Sequence, residues 1–294
     1  MNAGAEVAGP TTNDEAVFHY RVPGRSTSQR PGAHKALTGG AGTEFHSHVR
    51  LFDHPDPRRL DLHASLRSGR EEWLVRSHRQ RAAMPVYAVV DVSASMLVGA
   101  PQRKLDTVAA FLESLGNSAY KAGDPAGMCA FDGESREDLF VPARHSRGVG
   151  GEMAAVVAQA SMGRAAGSGL VPALQRLAGR QALVFLVSDF HWPLDALTDA
   201  LDVLERAWIV PVIVWDPSEA EPPADDGFVN VRDAETGKSR PLWLNASLRR
   251  RWKDEIAVRR GRIDAIFDSR RIQPLYFTGA FSADALSRYF LELY

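Results

Sequence analysis

The chain has 294 residues, of which 45% are hydrophobic and 24% charged, a composition typical of folded globular proteins. Lys and Arg number 35 and Asp and Glu 36, so the net charge of −1 does not predict a nucleic-acid or anionic-membrane partner. The single cysteine, Cys129, excludes an internal disulfide, and its place in an apolar run predicts a core position. No apolar run approaches the roughly 18–20 residues of a membrane span, and no secretory signal opens the chain, so we expect a cytoplasmic protein.

Two segments precede the predicted main domain. Residues 1–45 are rich in Gly, Ser, Thr, Ala and Pro and have little hydrophobic periodicity, which predicts a flexible or extended arm. Residues 46–84 are dense in Arg and His, with short apolar pieces that predict short strands. Residues 85–294 are then predicted to form the main domain.

Short apolar runs alternate with amphipathic segments from Pro85 onward. The runs predict buried strands at 86–91, 127–131, 182–187, 211–215 and 272–277. The amphipathic spacing predicts helices from Lys104, over 169–177, 194–204 and 246–267, and from Ser282. This alternation predicts an α/β fold with a doubly wound, mainly parallel sheet.

The segment at about 217–245 interrupts this alternation. Its first part, EPPADDG, is typical of a loop. The following FVNVRDAETGKSRPLWL predicts an inserted β-hairpin that turns near 235–237.

Polar side chains follow two of the predicted strands. Asp91, Ser93 and Ser95 end the first strand, and Asp189 ends the strand from Ala182. Carboxyl ends of parallel strands meet at one edge of a sheet, where ligands of this architecture bind. Ser168, before a predicted helix, offers another hydroxyl, although it could equally cap that helix. Hard oxygen ligands of this kind suit Mg²⁺ or another divalent cation.

These residues resemble the metal-ion-dependent adhesion site of von Willebrand factor A domains, whose motif is DxSxS with a later Thr and a later Asp. Asp91, Ser93, Ser95 and Asp189 match that motif, and Ser168 stands where the family usually has Thr. Thr107 is a rival for that position by residue type, but it lies inside a predicted helix. The resemblance implies a Rossmann-like fold and a site that accepts a partner's carboxylate.

A second resemblance concerns the segment before the domain. GAGTEF, Arg50 and RRLDLHASLR resemble the run ahead of the A domain in a bacterial family of unknown function, the MxaS-like, MoxR-associated proteins. The triplet Ser188-Asp189-Phe190 and the inserted hairpin suit the same family. This resemblance implies a cytoplasmic partner of a MoxR-type AAA+ ATPase that helps to mature or assemble client proteins.

Three functional hypotheses remain open on the sequence. The first is a metal-dependent protein–protein interaction module, and the second is a Mg²⁺-dependent phosphoester hydrolase with His191 as the candidate base. The third is a metal-free structural scaffold. No nucleotide-hydrolysis or serine-hydrolase motif is present, which favours a binding protein over an enzyme.

A cluster of arginines in the N-terminal segment has two readings. It either binds an acidic partner surface or forms salt bridges with the body of the domain. Its members are Arg58, Arg59, Arg67, Arg70, Arg76, Arg79 and Arg81.

Overall fold

The computed structural model describes residues 16–22, 31–40, 44–69, 72–99, 103–160, 168–232 and 239–293. Much of the predicted arm, Arg70 of the arginine cluster and the predicted hairpin turn at 235–237 lie outside these residues. The strands in chain order are β1 (Pro31–Gly40), β2 (Glu44–Arg50), β3 (Leu74–Ala82), β4 (Val86–Asp91), β5 (Ala126–Phe131), β6 (Ser135–Arg144), β7 (Leu183–Ser188), β8 (Trp208–Trp215), β9 (Gly227–Arg232), β10 (Ser239–Leu244) and β11 (Leu275–Thr278). The helices are α1 (Leu62–Arg67), α2 (Lys104–Ala122), α3 (Val149–Ala158), α4 (Leu170–Gln175), α5 (Asp195–Val203), α6 (Pro217–Ala220), α7 (Ala246–Asp268) and α8 (Ala283–Leu293).

The central sheet has the strand order β11-β8-β7-β4-β5-β6. Neighbouring strands from β11 to β5 are parallel, and β6 pairs with β5 in the antiparallel direction. This arrangement confirms the predicted α/β class and the mainly parallel sheet. β4 lies inside the sheet between β7 and β5, so its carboxyl end meets the carboxyl ends of both neighbours.

Both faces of the central sheet are buried. Side chains of β4 alternate between two apolar clusters, with Val86, Ala88 and Val90 on one face and Tyr87 and Val89 on the other. Helices α2, α3 and α8 cover the first face, and α4, α5 and α7 cover the second. Burial on both faces explains why the strand sequences are continuous apolar runs rather than alternating patterns.

Two elements of the sheet region escaped the sequence analysis. β6 is an edge strand with four of its ten side chains exposed, and α3 contains two adjacent glycines in its first turn. Gly150, the first of the two, serves a close helix contact, because a Cβ on Gly116 of α2 would lie 2.3 Å from the Cα of Gly150. Glycine has a low helix propensity, so propensity alone does not predict α3. Tertiary packing against α2 explains the glycine at this position.

The N-terminal segment forms a separate three-stranded antiparallel sheet in the order β1-β3-β2. Helix α1 follows β2 and begins after Asp61, whose carboxylate accepts a hydrogen bond from the Ala64 amide at 3.0 Å. Short strands were expected over 46–84. β1 was not expected, because it lies within residues 1–45, which were predicted to form a flexible or extended arm.

Residues 16–22 of the predicted arm pack against the main body. Phe18 is buried between Phe111 and Phe185, and its amide donates to the Ser118 hydroxyl at 2.9 Å. The Tyr20 hydroxyl donates to Asp124 at 2.5 Å. An isolated aromatic in a polar stretch gives no periodic signal, so the sequence did not predict this contact.

The insertion after β8 contains the predicted hairpin. β9 and β10 pair with each other in an antiparallel two-stranded sheet, from Gly227–Leu244 to Arg232–Ser239. No helix among the described residues is long and apolar enough to cross a membrane.

Candidate functional site

The carboxyl end of β4 places Asp91 in a fully buried polar setting. One oxygen of its carboxylate, Oδ1, accepts the Ser93 amide at 2.9 Å. The other, Oδ2, accepts the Ser188 hydroxyl at 2.5 Å and the Trp192 indole N–H at 3.0 Å. β7 is the neighbour of β4, so the donor Ser188 reaches Asp91 directly across the sheet.

Asp189 lies one residue beyond β7 and pairs with a buried lysine. Lys104, the first residue of α2, places its Nζ 2.7 Å from Asp189 Oδ2. The other oxygen of Asp189 accepts the His191 amide at 3.1 Å, and its backbone carbonyl accepts the Trp215 indole N–H at 3.0 Å. The Lys104 side chain is 1% exposed and that of Asp189 0%, so this ion pair is sealed from water.

A second carboxylate holds the same lysine. Glu219 of α6 lies 2.7 Å from Lys104 Nζ through Oε1, and its Oε2 lies 3.6 Å from His191 Nε2. Glu219 and His191 are about one-third exposed, so they form the solvent side of the cluster. We call Asp91, Lys104, Ser188, Asp189 and Glu219 the lysine-bridged cluster. It joins the ends of β4 and β7 to α2 and α6.

Arg259 of α7 holds the loop that follows Asp189. Its guanidinium donates to the carbonyl oxygens of Phe190 and Trp192, with an Nε–O distance of 3.0 Å to Phe190. Phe190 has φ of 53°, an uncommon value for a residue other than glycine. The Phe190 amide donates to the Ser188 hydroxyl at 2.8 Å, so hydrogen bonds on both sides fix this turn.

Burial and nearby charges shift the pKa values of the cluster residues in different directions. Burial, reinforced by the nearby charge of Asp189, raises the pKa of Asp91 to about 6. Burial acts in the same sense on Asp189, but the interactions with Lys104 and His191 outweigh it and lower the pKa of Asp189. Burial opposes the charged form of Lys104, yet Asp189 and Glu219 raise the pKa of Lys104 above its ordinary value. The lysine is therefore charged at neutral pH.

These residues do not suit the Mg²⁺ ion that the sequence predicts. All four carboxylate oxygens of Asp91 and Asp189 already accept hydrogen bonds from protein donors. A divalent cation at Asp189 would lie beside the ammonium of Lys104, and like charges repel strongly at a buried position. No group of three or more His, Cys, Asp or Glu side chains able to hold a metal occurs among the described residues.

The predicted site residues separate into two sets. Ser93 and Ser95 lie beside Asp91, with 3.1 Å between their hydroxyl oxygens. Ser168 does not join them, because its exposed hydroxyl donates to the Gly133 carbonyl at 2.6 Å. Ser168 does not cap the following helix either, since Gly169 is the N-cap of α4. The rival Thr107 donates to the Gly279 carbonyl at 3.0 Å.

Two residues that balance the charge of this site, Lys104 and Glu219, were not predicted from the sequence. Lys104 was predicted to begin a helix, and Glu219 was placed in the insertion without a role. A lysine in the first turn of a helix is a detectable signal, because the helix dipole disfavours a cation there. His191, the expected base of the alternative hydrolase, lies 3.6 Å from Glu219 Oε2 through its Nε2, and the hydrolase stays a hypothesis.

A second charged region lies on the N-terminal part of the chain. An open cavity of about 410 Å³ is lined by Arg58, Arg59, His63 and Arg76, together with Leu60, Asp61 and Leu62. We call the four basic residues the arginine surface. Asp61 accepts from Arg76 Nε at 2.7 Å and lies 3.0 Å from His48 Nε2. A backbone hydrogen bond from Ala64, assisted by Arg76 and His48, holds the pKa of Asp61 well below its ordinary value.

The fold and the lysine-bridged cluster define an α/β protein with a mainly parallel central sheet and two buried carboxylates at the strand ends, of which Asp189 is paired with Lys104. The model of the family described as "Protein of unknown function DUF58" matches residues 49–262. Because this match covers more than half of the chain, the protein belongs to the DUF58 family.

The chain also resembles individual proteins. It is 28% identical over 226 residues to the uncharacterized protein Rv1480 of Mycobacterium tuberculosis, and the match covers 74% of this chain and 69% of that protein. The same values apply to the uncharacterized protein Mb1516 of Mycobacterium bovis.

Among solved structures, BatB from Bacteroides thetaiotaomicron matches with 18% identity and a TM-score of 0.44, covering 72% of this chain and 97% of that chain. An aerotolerance-related membrane protein from Bacteroides fragilis matches with 15% identity and a TM-score of 0.42, covering 71% and 98%. These scores are too low to support an argument about function.

The family match corrects both resemblances drawn from the sequence. The identification as a von Willebrand factor A domain, and as a member of the MxaS-like, MoxR-associated family, is wrong, because the matching family is DUF58. The metal-ion-dependent adhesion site is corrected as well, since no group of side chains able to hold a metal occurs in the described part of the chain and Lys104 pairs with Asp189 instead.

Proposed function

We propose that this protein is a metal-independent interaction module that binds an acidic segment of a partner protein through the arginine surface. This proposal rests on the open cavity whose lining contains four basic side chains and one carboxylate, that of Asp61. The partner is specified here by its chemistry. The AAA+ ATPase and the client protein expected from the sequence stay predictions.

The charges around the cavity favour an anionic ligand. Asp61 is shared between Arg76 and His48, and Arg59 pairs with Asp56 at 3.2 Å. Arg58 and His63 have no ion pair with another described residue. The excess of positive charge attracts a carboxylate-rich segment and speeds its association.

Exposed apolar side chains beside the cavity favour a protein ligand over a phosphate backbone. Leu62 lines the cavity and is 54% exposed, and Leu66, one turn later on α1, is 81% exposed. Arginine next to exposed aliphatic side chains suits a protein interface.

The lysine-bridged cluster supports the metal-independent form of this proposal. Lys104 pairs with Asp189 and Glu219, and Asp91 accepts hydrogen bonds from protein donors, so a partner-bridging cation at this site would have to compete with a lysine ammonium. Binding that depends on the arginine surface should respond to salt and not to chelators.

The test uses the full chain and a fluorescein-labelled peptide of alternating glutamate and leucine. Binding is measured by anisotropy in EDTA and in excess Mg²⁺, at low and high salt. We expect equal affinity with and without Mg²⁺ and weaker binding at high salt. Arg58→Glu should weaken binding about tenfold, because it replaces an attraction by a repulsion.

The control variant is Arg206→Glu, which makes the same change of net charge at an exposed position outside this surface. If both variants lose the same affinity for the peptide, the effect depends on net charge alone, and the arginine surface is not a specific binding site. A requirement for Mg²⁺ would contradict the metal-independent mode. An oligonucleotide of equal charge that binds more tightly than the peptide would contradict the choice of a protein partner.

A further inference from the structure

A cavity of about 400 Å³ lies at the amino ends of β7 and β8, at the opposite end of the sheet from the lysine-bridged cluster. Leu183 and Trp208, the first residues of these strands, form its floor. Its walls come from the loop after α5, the loop after α7, and α8. A volume of this size is within the ordinary range of ligand pockets and equals about a dozen water molecules.

Part of the lining of this cavity is apolar. Trp208, Ile209, Ile272 and Leu293 are partly exposed and present apolar surface to it. Leu201, Leu204 and Phe290 also belong to the lining but are buried. An aliphatic chain would therefore replace water against the exposed parts of the first four side chains, which is favourable.

The mouth of the cavity is positively charged. Arg21 and Arg271 are exposed lining residues, and neither has an ion pair with another described residue. Arg270 is held in the wall by Asp202 at 2.7 Å. Glu205 is the acidic member of the lining within the described part of the chain. Positive charge therefore exceeds negative charge at the opening.

Both free arginines stand on fixed backbone. Arg271 has φ of 58°, and hydrogen bonds that end α7 hold it there, from its own amide to Asp268 and from the Ile272 amide to Phe267. Arg21 follows a segment that is tied to α8 by the His19 amide, which donates to the Ser287 hydroxyl at 3.1 Å. The two guanidinium groups thus approach one opening from different parts of the chain.

We propose that this cavity binds an amphipathic anion, with an aliphatic tail between β8 and α8 and an anionic head at Arg21 and Arg271. The tail is of medium length, since the cavity is too small for a long unbranched chain. The assignment is independent of the arginine surface and of the partner proposed for it.

The test measures binding to the full chain by titration calorimetry, below the micelle concentration of each probe. Decanoate and decyl phosphate carry the two common anionic heads on one tail, decanol carries the tail alone, and acetate carries the head alone. We expect saturable binding of at least one decyl anion, at least tenfold weaker binding of decanol, and no measurable heat with acetate. The tighter of the two anions identifies the head.

Two variants test the arginines. Arg271→Gly removes the charge at a position where positive φ suits glycine, so the fold is preserved. Arg21→Gln removes the other charge. Each should weaken the decyl anion about fivefold, and Arg250→Gln, an exposed change on α7 outside the lining, should leave it unchanged. Absence of binding by both anions, or equal affinity for decanol, would overturn the proposal.

Discussion

The lysine-bridged cluster and the arginine surface use charged residues in opposite ways. In the cluster, Lys104 is 1% exposed and is shared by two carboxylates. On the arginine surface, Arg76 is 57% exposed while it pairs with Asp61, and Arg58 has no ion pair with another described residue. The first region therefore satisfies its own charges, and the second leaves positive charge available to a partner.

Burial explains the difference. A charge removed from water requires close partners, and losing one partner leaves the other uncompensated at a high cost. A charge at the surface remains hydrated, so its pairing contributes little to stability. Substitutions in the cluster should consequently affect folding, whereas substitutions on the arginine surface should affect binding. Four predictions test this contrast.

Removal of the lysine should have the largest effect. Lys104→Met deletes the ammonium and leaves Asp189 buried beside Asp91 without its cation. We expect a loss of about 3–5 kcal/mol in the free energy of unfolding, measured by urea denaturation at neutral pH.

A double variant separates charge from packing. Lys104→Met with Asp189→Asn removes both charges of the buried pair, and we expect it to recover part of the lost stability. A double variant that is less stable than the single variant by the full cost of Asp189→Asn would show that the two residues are not coupled.

The pH dependence of stability should report Asp91. Its pKa is raised from 3.8 to about 6 by burial and then by the charge of Asp189, so the folded protein holds this proton more tightly than the unfolded chain. The Asp91 contribution is therefore lost as pH rises from 3.8 through about 6. Asp91→Asn cannot titrate, and over that range its stability should fall less than that of the unmodified protein, by about 1–3 kcal/mol.

Urea denaturation just below pH 4 and just above pH 6 measures this difference. Asp254→Asn, an exposed change on α7, is the control and should keep the profile of the unmodified protein. Parallel profiles for Asp91→Asn and the unmodified protein would contradict the raised pKa.

Loss of Asp61 should have a smaller effect than loss of Lys104. Asp61→Ala removes the N-cap of α1 and the acceptor shared by Arg76 and His48, but these partners remain in contact with water. We expect a lower urea midpoint at neutral pH. The Asp61 contribution should disappear in acid, because a lowered pKa gives stability that is lost as pH falls. A midpoint loss larger than that of Lys104→Met would reverse the comparison.

Arg58→Glu should have the smallest effect on folding. Its side chain is exposed and has no ion pair with a described residue, so we expect a change below about 0.5 kcal/mol in the free energy of unfolding. The same variant should weaken the acidic peptide about tenfold. A large loss of stability would place Arg58 in the structural framework rather than on a binding surface.

The sequence predicted where polar residues converge, but not what neutralises them. Asp91 and Asp189 follow buried strands, and parallel strands bring their ends together, so their proximity was predictable. Lys104 lies 85 residues before Asp189 and Glu219 lies 30 after it, and no local pattern joins the three. Ser168 lies between Asp91 and Asp189 in the sequence. In the folded protein, however, its hydroxyl donates to the Gly133 carbonyl and does not join them.

Local periodicity determined the parallel strands of the central sheet and most of its helices, because burial on both faces demands continuous apolar runs and burial on one face demands amphipathic spacing. Tertiary packing decided the rest. Phe18 entered the core because α2 and β7 offer Phe111 and Phe185, and two glycines let α2 approach α3. Lys104 became the cation of the strand-end site because only the folded chain brings its ammonium to two distant carboxylates. Such contacts depend on distance in space, which the order of residues along the chain does not encode locally.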